Sequence, residues 1–358
     1  DYPTEYRLQY HQLPGFQDLK QTHNPFPAGF IEMEGQKIGL IRIEYFSPSF
    51  YSQTAQVLWD DFRESLREPC DEHCQESFAQ IIEKQLTDYL IQHLENLHHR
   101  GIDKLVVDVT GNGGGTEWAF AMARLFSPKT LAAPPFAFVK HPHWQNSLEE
   151  QMQAIAQDLQ NQALSEELKS HLRQLQSTLK NLQEKAQQNC DPQEIWAQAN
   201  IACLDLLRHP IPEQLPQAIQ GDPQLPQLAS KNLLGTARFL PYRRGPFQGP
   251  VYVAIDGGSA SATEGFASLL QINQAAVLVG QTTYGVGCGY TNGGIRVDLE
   301  NIGLRVRMPD CVRYRKDGEN EMKGIEPDLP VAWEKSDSDQ IKGERLIRAV
   351  AGHTWDFD

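Results

Sequence analysis

The sequence predicts an α/β fold with mostly parallel strands and a long α-helical insertion. Two short apolar runs, KLVVDV at 104–109 and VYVAI at 251–255, each lead through a glycine-rich turn into a helical pattern. A repeated strand–turn–helix order is typical of parallel sheets. Between these two units, residues 147–208 contain no glycine and repeat leucine at spacings of three and four. That spacing predicts a helical hairpin or a coiled-coil-like insertion.

Shorter elements complete the predicted core. Residues 29–46 read as two strands around the turn EGQK, residues 53–68 as an amphipathic helix, and residues 72–99 as a longer helix that Gly101 ends. AVLVG at 276–280 reads as a further buried strand. The predicted division is an upstream region ending at 1–28, a core in two parts at 29–127 and 248–335, a mainly helical insertion with a proline-rich end at 128–247, and a C-terminal helix and tail at 336–358.

The composition narrows the class of protein. Apolar residues make up 40% of the 358 residues and charged residues 22%, which is ordinary for a globular protein. The formal net charge of −14 argues against nucleic acid or an anionic membrane as a partner. No apolar run is long enough for a membrane span. The opening DYPTEYRLQY shows no signal peptide and reads as a cut end, so we expect part of the site to lie upstream.

The six cysteines leave the redox compartment open. Cys70, His73 and Cys74 in PCDEHC could offer three zinc ligands, but no second cysteine pair completes a tetrahedral site. A local disulfide between Cys70 and Cys74, or two free thiols, is the better interpretation. The other four are scattered: Cys190, Cys203, Cys288 and Cys311.

The stretch DGGSASATEG at 256–265 offers three hydroxyls, on Ser259, Ser261 and Thr263. A serine between a buried strand and a helix has the layout of a nucleophile whose next backbone N–H stabilises an oxyanion. For the fragment GSAS alone, a tight turn with Ser259 or Ser261 as N-cap is the better interpretation. The second turn, GNGGG at 111–115, follows another strand of the same predicted sheet, and sites gather at the C-terminal ends of such strands. We therefore expect the two turns to converge on one carbonyl oxygen.

Four segments in one order carry a family resemblance. VVDVTGNGGG at 106–115 resembles the D-L-R-x-N-x-G-G element of the tail-specific, or C-terminal-processing, serine proteases. GGSASATEGFASLLQ resembles the serine segment of that family, and AVLVGQTTYGVG resembles the strand and turn that follow it. GIEPDLPV at 324–331 resembles the late G-I-x-P-D turn of the family. The resemblance covers about residues 36 to 335 and implies a core of the ClpP/crotonase type; it covers neither the insertion nor the opening.

Carried over position by position, the resemblance makes Ser261 the nucleophile. It implies an oxyanion hole from the backbone N–H of Ala262 and one from the glycine run, with Gly114 preferred and Gly115 next. Thr110 stands where the family usually has arginine. The resemblance implies no metal and no organic cofactor.

The base departs from the family's common pattern. Val286 occupies the position of the usual catalytic lysine, and valine cannot accept a proton. A smaller branch, which includes the tricorn core protease and the chlamydial protease-like activity factor, uses serine, histidine and glutamate, and the glutamate of GIEPD would be Glu326. That branch carries its histidine upstream of the core. We expect this histidine on a segment absent from this chain, such as a cleaved N-terminal piece; the weaker candidates here are His11, His23, His141 and His143.

Two functions follow from these observations. The first is a serine endopeptidase that works through an acyl-enzyme, although this chain alone would lack its base. The second is an inactive protease-fold protein that serves as a binding or scaffold module, with the helical insertion as its partner surface. A crotonase-like acyl-CoA enzyme is weaker because no basic cluster lies near these motifs. The expected partners are a protein or peptide substrate and an N-terminal fragment of the same protein; a homo-oligomer is left open. The resemblance favours an exported protein, periplasmic or secreted.

Overall fold

The structure, a computed structural model, describes most of the chain. The described residues are 6–64, 66, 69–129, 131–132, 136–138, 142, 144–187, 207–208, 224–231, 233, 245–287, 296–307 and 311–354. They belong to two compact units. The first unit comprises Asp1–Ala132, Tyr242–Gly285 and Gly324–Asp358, and the second comprises Ala133–Pro241 and Val286–Lys323.

The regular elements follow the predicted alternation of strands and helices. The strands are β1 (Gln17–Asp18), β2 (Ala28–Met33), β3 (Gln36–Arg42), β4 (Lys104–Asp108), β5 (Phe136–Phe138), β6 (Leu207–Arg208), β7 (Val251–Ile255), β8 (Val277–Gly280), β9 (Arg296–Leu299), β10 (Leu304–Arg307), β11 (Cys311–Arg313) and β12 (Leu329–Pro330). The helices are α1 (Ser52–Glu64), α2 (Glu72–His99), α3 (Trp118–Ala123), α4 (Trp144–Asp158), α5 (Glu166–Ala186), α6 (Ala262–Ile272) and α7 (Asp339–Gly352).

A seven-stranded, mostly parallel sheet forms the first unit, in the order β1-β2-β3-β4-β7-β8-β12. Strands β3, β4, β7, β8 and β12 run parallel, and β1 and β2 add an antiparallel edge. The two-residue turn between β2 and β3 places Glu34 and Gly35 at φ of 54° and 77°, which the type I′ hairpin turn requires. The predicted α/β class is therefore confirmed, whereas the relation to the ClpP/crotonase type stays a prediction.

The N-terminal segment and α7 cover one face of this sheet. Tyr6, Leu8 and Tyr10 are buried in the same cluster as Val106 of β4 and Leu346 of α7. Lys104 caps the C-terminal end of α7. Its ammonium group donates to the carbonyls of residues 350, 351 and 353 at 2.8, 3.0 and 2.6 Å. This arrangement satisfies carbonyls that a helix end leaves without partners.

Helices α3 and α6 pack against each other in the first unit, with aromatic rings between them. The ring of Phe266 in α6 lies 5.0 Å from that of Phe46 and 5.8 Å from that of Phe126. Trp118 of α3 is fully buried, and its indole N–H donates to Thr87 Oγ1 at 3.1 Å. The two helices that follow the glycine-rich turns are thus packed together, and this packing fixes the positions of the turns.

The second unit contains the predicted helical hairpin. Helices α4 and α5 pack together, and α5 begins at the N-cap Ser165, whose side chain accepts the Leu168 amide. The apolar stripe of the hairpin is buried, including Leu148, Ile155, Leu168, Leu172, Leu175, Leu179 and Leu182. Residues 188–206, which belong to the same prediction, lie outside the described residues.

Cys70 and Cys74 form a disulfide at the start of α2. Because both sulfur atoms are used in this bond, Cys70 and Cys74 are not available as the zinc ligands considered above. Among the described residues, no group of three histidine, cysteine, aspartate or glutamate side chains is arranged to hold a metal ion. A helix long and apolar enough for a membrane span is also missing from that part of the chain.

His93 in α2 should make the stability of the first unit depend on pH. Its ring is fully buried, Nε2–H donates to the Phe26 carbonyl at 2.9 Å, and Nδ1 has no partner. Burial lowers the pKa of His93 from 6.5 to about 4, against a smaller opposing effect of the Phe26 hydrogen bond. Between these two values the unfolded chain binds more protons than the folded chain, so stability rises with pH there.

The free energy of unfolding should therefore fall by about 3 kcal/mol between pH 6.5 and pH 4 on account of this group. Urea denaturation across this pH range measures the effect. His93→Gln should flatten the profile, because glutamine can still donate to the Phe26 carbonyl but does not titrate. His99→Gln, at an exposed position of the same helix, is the control. A His93→Gln profile as steep as that of the unaltered chain would contradict the assignment.

Candidate active site

The two glycine-rich turns lie side by side because β4 and β7 are neighbouring parallel strands. Direct hydrogen bonds join the turns. The amide of Ala260 donates to the Asn112 carbonyl at 2.9 Å, and the Ser259 hydroxyl donates to the Val109 carbonyl at 2.8 Å. The two turns are therefore in direct contact at this end of the sheet, and their convergence on one carbonyl oxygen stays a prediction.

The three hydroxyls of the serine turn have different surroundings. Ser259 is fully buried, and its Oγ both donates to the Val109 carbonyl and accepts the Asp256 amide at 3.1 Å. Thr263 is fully buried inside α6. Ser261 is the half-buried one of the three and stands at the N-cap of α6. Of these three residues, Ser261 is therefore the one that is partly exposed.

Ser261 has an unusual backbone conformation, with φ of 58° and ψ of −118°. A non-glycine residue pays for such angles in strain, and this strain persists where the surrounding structure enforces it. The sharp strand-to-helix turn around a nucleophilic serine has this character. The conformation therefore supports the choice of Ser261 over Ser259.

Gly114 lies directly against Ser261. A methyl group on its Cα would be 2.8 Å from Ser261 Cβ and 2.9 Å from the Ala262 nitrogen. Ala262 is the first residue of α6, and within the described residues its amide donates to no acceptor. The structure thus brings Ser261, Ala262 and Gly114 together, with an amide at a helix N-terminus ready to bind negative charge.

The amides of Gly114 and Gly115, the two candidates for the second oxyanion donor, differ in their hydrogen bonds. The Gly114 amide donates to Asn112 Oδ1 at 2.9 Å, and the Gly114 carbonyl accepts the Phe46 amide at 3.0 Å. The amide of Gly115 has no acceptor among the described residues. This difference favours Gly115 as the second donor in the reaction proposed below, and Gly114 lies in contact with Ser261.

Asn112 is a positioning residue that the sequence reasoning missed. Its side chain is fully buried, accepts the Gly114 amide through Oδ1 and donates through Nδ2 to the Ile43 carbonyl at 3.1 Å. Because its own carbonyl accepts the Ala260 amide, Asn112 connects the glycine run, the exit of β3 and the serine turn.

Glu264 is the second residue that was missed. Its carboxylate is fully buried and accepts the Ser261 amide at 2.9 Å, the Thr283 hydroxyl at 2.6 Å and the Gly285 amide at 2.7 Å. It thus connects the backbone of Ser261 to the loop after β8. The Ser-x-x-Glu spacing of a capping box was the signal in the sequence that would have identified it.

Glu326 lies on the late turn, which is tied to the same loop. Thr283 and Ile325 exchange two hydrogen bonds, at 3.1 Å between backbone atoms and 2.7 Å to the threonine hydroxyl. The Glu326 carbonyl accepts from Gln271 of α6 at 2.9 Å, and its side chain is exposed. Glu326 is therefore held by its backbone and connected to Ser261 through Thr283 and Glu264.

The described histidines include two of the sequence candidates, His11 and His23. His11 is exposed and stacks on Tyr6, and His23 is exposed with φ of 66°. His93 is bonded to Phe26, and His353 contacts Tyr252. The other candidates, His141 and His143, lie outside the described residues.

Thr110 and Val286 occupy two further positions at which this chain departs from the common pattern of the family. Thr110, in place of arginine, is fully buried, and its hydroxyl donates to Asp108 Oδ1 at 2.7 Å. Its amide donates to the same oxygen at 2.8 Å, so Thr110 is bonded to the side chain of the last residue of β4. Val286 belongs to the second unit and is 38% exposed.

Comparison with known proteins supports the predicted family. The model of Peptidase family S41 matches residues 37–331. Mature CPAF in complex with lactacystin is a similar solved structure, with 16% identity and a TM-score of 0.52 over 91% of this chain and 54% of that chain. Mature CPAF itself shares 15% identity with this chain, with a TM-score of 0.53 over 94% of this chain and 55% of that chain. At such identities the likeness shows the fold alone.

A putative peptidase from Parabacteroides merdae shares 17% identity over 98% of this chain and 71% of that chain, with a TM-score of 0.45. The chain spans about half of the length of the CPAF chains that it matches. No curated protein matches it by sequence. Since the family model covers residues 37–331, which include both glycine-rich turns and the late turn, this chain belongs to peptidase family S41, the family of tail-specific serine peptidases that its motifs predicted.

Proposed function

We propose that this protein is a serine endopeptidase whose nucleophile is Ser261. The observation that carries the proposal is the strained conformation of Ser261 at the N-terminus of α6, with Gly114 in contact and the Ala262 amide beside it. A nucleophile and an oxyanion donor on adjacent residues are the minimum that acyl transfer needs.

The proposed reaction has two steps. Ser261 Oγ attacks the peptide carbonyl carbon while a base takes its proton, and the oxyanion is held by the amides of Ala262 and Gly115. The C–N bond then breaks, the amine leaves with that proton, and water hydrolyses the acyl-enzyme.

For the base we propose a histidine on a segment outside this chain, oriented by Glu326 as in the Ser-His-Glu branch of the family. The exposed carboxylate of Glu326 on a turn whose backbone is anchored to Thr283 and Gln271 supports this role. An N-terminal fragment of the same protein would then be a partner, and a protein or peptide would be the substrate.

We also propose that the protein is exported. The disulfide between Cys70 and Cys74 supports an oxidising compartment, because such bonds are rare where thiols are kept reduced. A homo-oligomer remains a proposal that sedimentation would decide.

Labelling by a fluorophosphonate tests the function. The unaltered chain, a form extended upstream, and the variants Ser261→Ala and Ser259→Ala should be compared, with labelled peptides identified by mass spectrometry. We expect the label on Ser261, its loss in Ser261→Ala and its retention in folded Ser259→Ala. Labelling that requires the extended form would place the base in the upstream segment.

The second candidate function is an inactive binding module with the same fold. The observation that favours it is that valine occupies position 286, where the common pattern of the family has the catalytic lysine. No labelling of any folded form would select this function over the peptidase.

A further inference from the structure

Arg7 reaches the back of both glycine-rich turns from the N-terminal segment. Its Nη2 lies 3.0 Å from Asp256 Oδ2. Its Nη1 is packed so closely on Gly111 that a methyl group on that glycine would be 1.1 Å away, and it is 3.2 Å from the corresponding point on Gly258. One guanidinium therefore touches the first residue of the glycine run and the start of the serine turn.

Asp256 joins the same two turns through its other oxygen. Oδ1 accepts the Gly111 amide at 2.7 Å and the Gly258 amide at 2.9 Å. The side chain is only 12% exposed, so its negative charge depends on local partners. Arg7 provides the opposing charge, and together the two side chains fix the spacing between the turns.

The N-terminal segment that carries Arg7 is itself immobilised by packing. Tyr6 and Leu8 on either side of Arg7 are 3% and 2% exposed and belong to the core under the sheet. The Leu8 carbonyl lies so near Gly343 of α7 that a methyl group there would be 2.3 Å from it. The packed backbone of this segment therefore positions Arg7 beside Asp256, although the Arg7 side chain is 44% exposed.

The spacing that this pair fixes is the one that acyl transfer depends on. Asp256 precedes Ser261 by five residues in one turn, and Gly111 precedes Gly115 by four in the other. The proposed oxyanion donors, Ala262 and Gly115, come from different turns, so a relative shift of the turns separates them. Misplacement of about 1 Å is enough to cost roughly 100-fold in rate.

We infer that Arg7 and Asp256 are positioning residues for the oxyanion site, and that the segment before the matched family region is part of the catalytic machinery of this chain. Both side chains would act through the turns that they hold and not by contact with the substrate. This inference rests on the proposed function, since it concerns the geometry around Ser261.

A double-mutant cycle on the acylation of Ser261 tests it. The rate constant of fluorophosphonate labelling and its concentration dependence are measured for the unaltered protein, in the form that labels, and for Arg7→Met, Asp256→Asn and the double variant. We expect each single variant to lower the maximal acylation rate by roughly 10- to 100-fold with little change in half-saturation. The double variant should be no worse than either, because the two residues act as one unit. Arg7→Lys, which keeps the charge, should recover part of the rate.

Arg348→Met serves as the matched control, because Arg348 forms an exposed ion pair with Glu344 on α7. It should leave the acylation rate unchanged. Unchanged acylation in folded Arg7→Met, or strictly multiplicative effects of the two substitutions, would overturn the inference while the peptidase stands. If no form of the unaltered protein labels, the proposed function fails, and the inference fails with it.

Discussion

Gly114→Ala should lower the acylation rate of Ser261 by about a thousandfold, the largest loss we expect from a single added methyl group. That methyl would lie 2.8 Å from Ser261 Cβ and 2.9 Å from the Ala262 nitrogen, closer than any real Cβ approaches such atoms. It would therefore displace the nucleophile or its oxyanion donor. The measurement is the second-order rate constant of fluorophosphonate labelling, with the thermal midpoint recorded in parallel.

Gly113→Ala is the matched control within the same turn. A methyl group at Gly113 meets nothing within 4 Å, and its φ is not in the left-handed region. Gly114 has φ of 105°, so alanine there also costs about 1–2 kcal/mol of backbone strain. A loss of labelling in Gly113→Ala equal to that in Gly114→Ala, with both proteins folded, would show that the turn tolerates no substitution and would remove the steric explanation.

The core of the fold could be predicted from sequence because its signals are local. Helix α2 runs over Glu72–His99, as its apolar period predicts, and both strands before the glycine turns are where short apolar runs place them. The choice of Ser261 as nucleophile rests on resemblance together with the strand–turn–helix order, and it stays a prediction. The side-by-side placement of the turns was also predictable, since parallel neighbours end at the same edge of a sheet.

The parts that could not be predicted depend on contacts between distant residues. The amide of Gly114 is bonded to the Asn112 side chain, and no feature of the run GNGGG distinguishes Gly114 from Gly115 as a donor. The pairing of Arg7 with Asp256 spans 249 positions and has no local pattern. Glu264 is the intermediate case, because its capping-box spacing was visible but its bonds to the loop at 283–285 were not.

Glu264→Leu should both destabilise the first unit and disable Ser261. The fully buried carboxylate accepts three hydrogen bonds, from the Ser261 amide, the Thr283 hydroxyl and the Gly285 amide. Leucine accepts none, so three donors lose their acceptor inside the protein, at about 1–3 kcal/mol each. We expect a loss of about 4 kcal/mol or more in the free energy of unfolding, a large share of the roughly 5–15 kcal/mol of a typical domain. Urea denaturation measures it.

Glu264→Gln separates the two effects. Glutamine has the same shape but one acceptor oxygen, so it can satisfy either the Ser261 amide or the loop donors, and its NH2 group opposes the other. We expect the chain to fold with about 1–3 kcal/mol less stability. Its acylation rate should fall by roughly 100-fold, because the nucleophile is no longer held to the loop. Glu344→Leu, at a half-exposed position on α7, controls for the loss of a helical carboxylate.

Normal acylation in Glu264→Gln would mean that the backbone alone enforces the strained conformation of Ser261. The capping contact would then stabilise the helix start without a part in catalysis. Loss of acylation at nearly unchanged stability would instead assign Glu264 to the active site, as the residue that transmits the position of the loop at 283–285 to the nucleophile. Because Thr283 also binds Ile325, this loop is the path by which Glu326 is positioned, so Glu264→Gln should weaken the effect of a further Glu326→Gln substitution on the acylation rate.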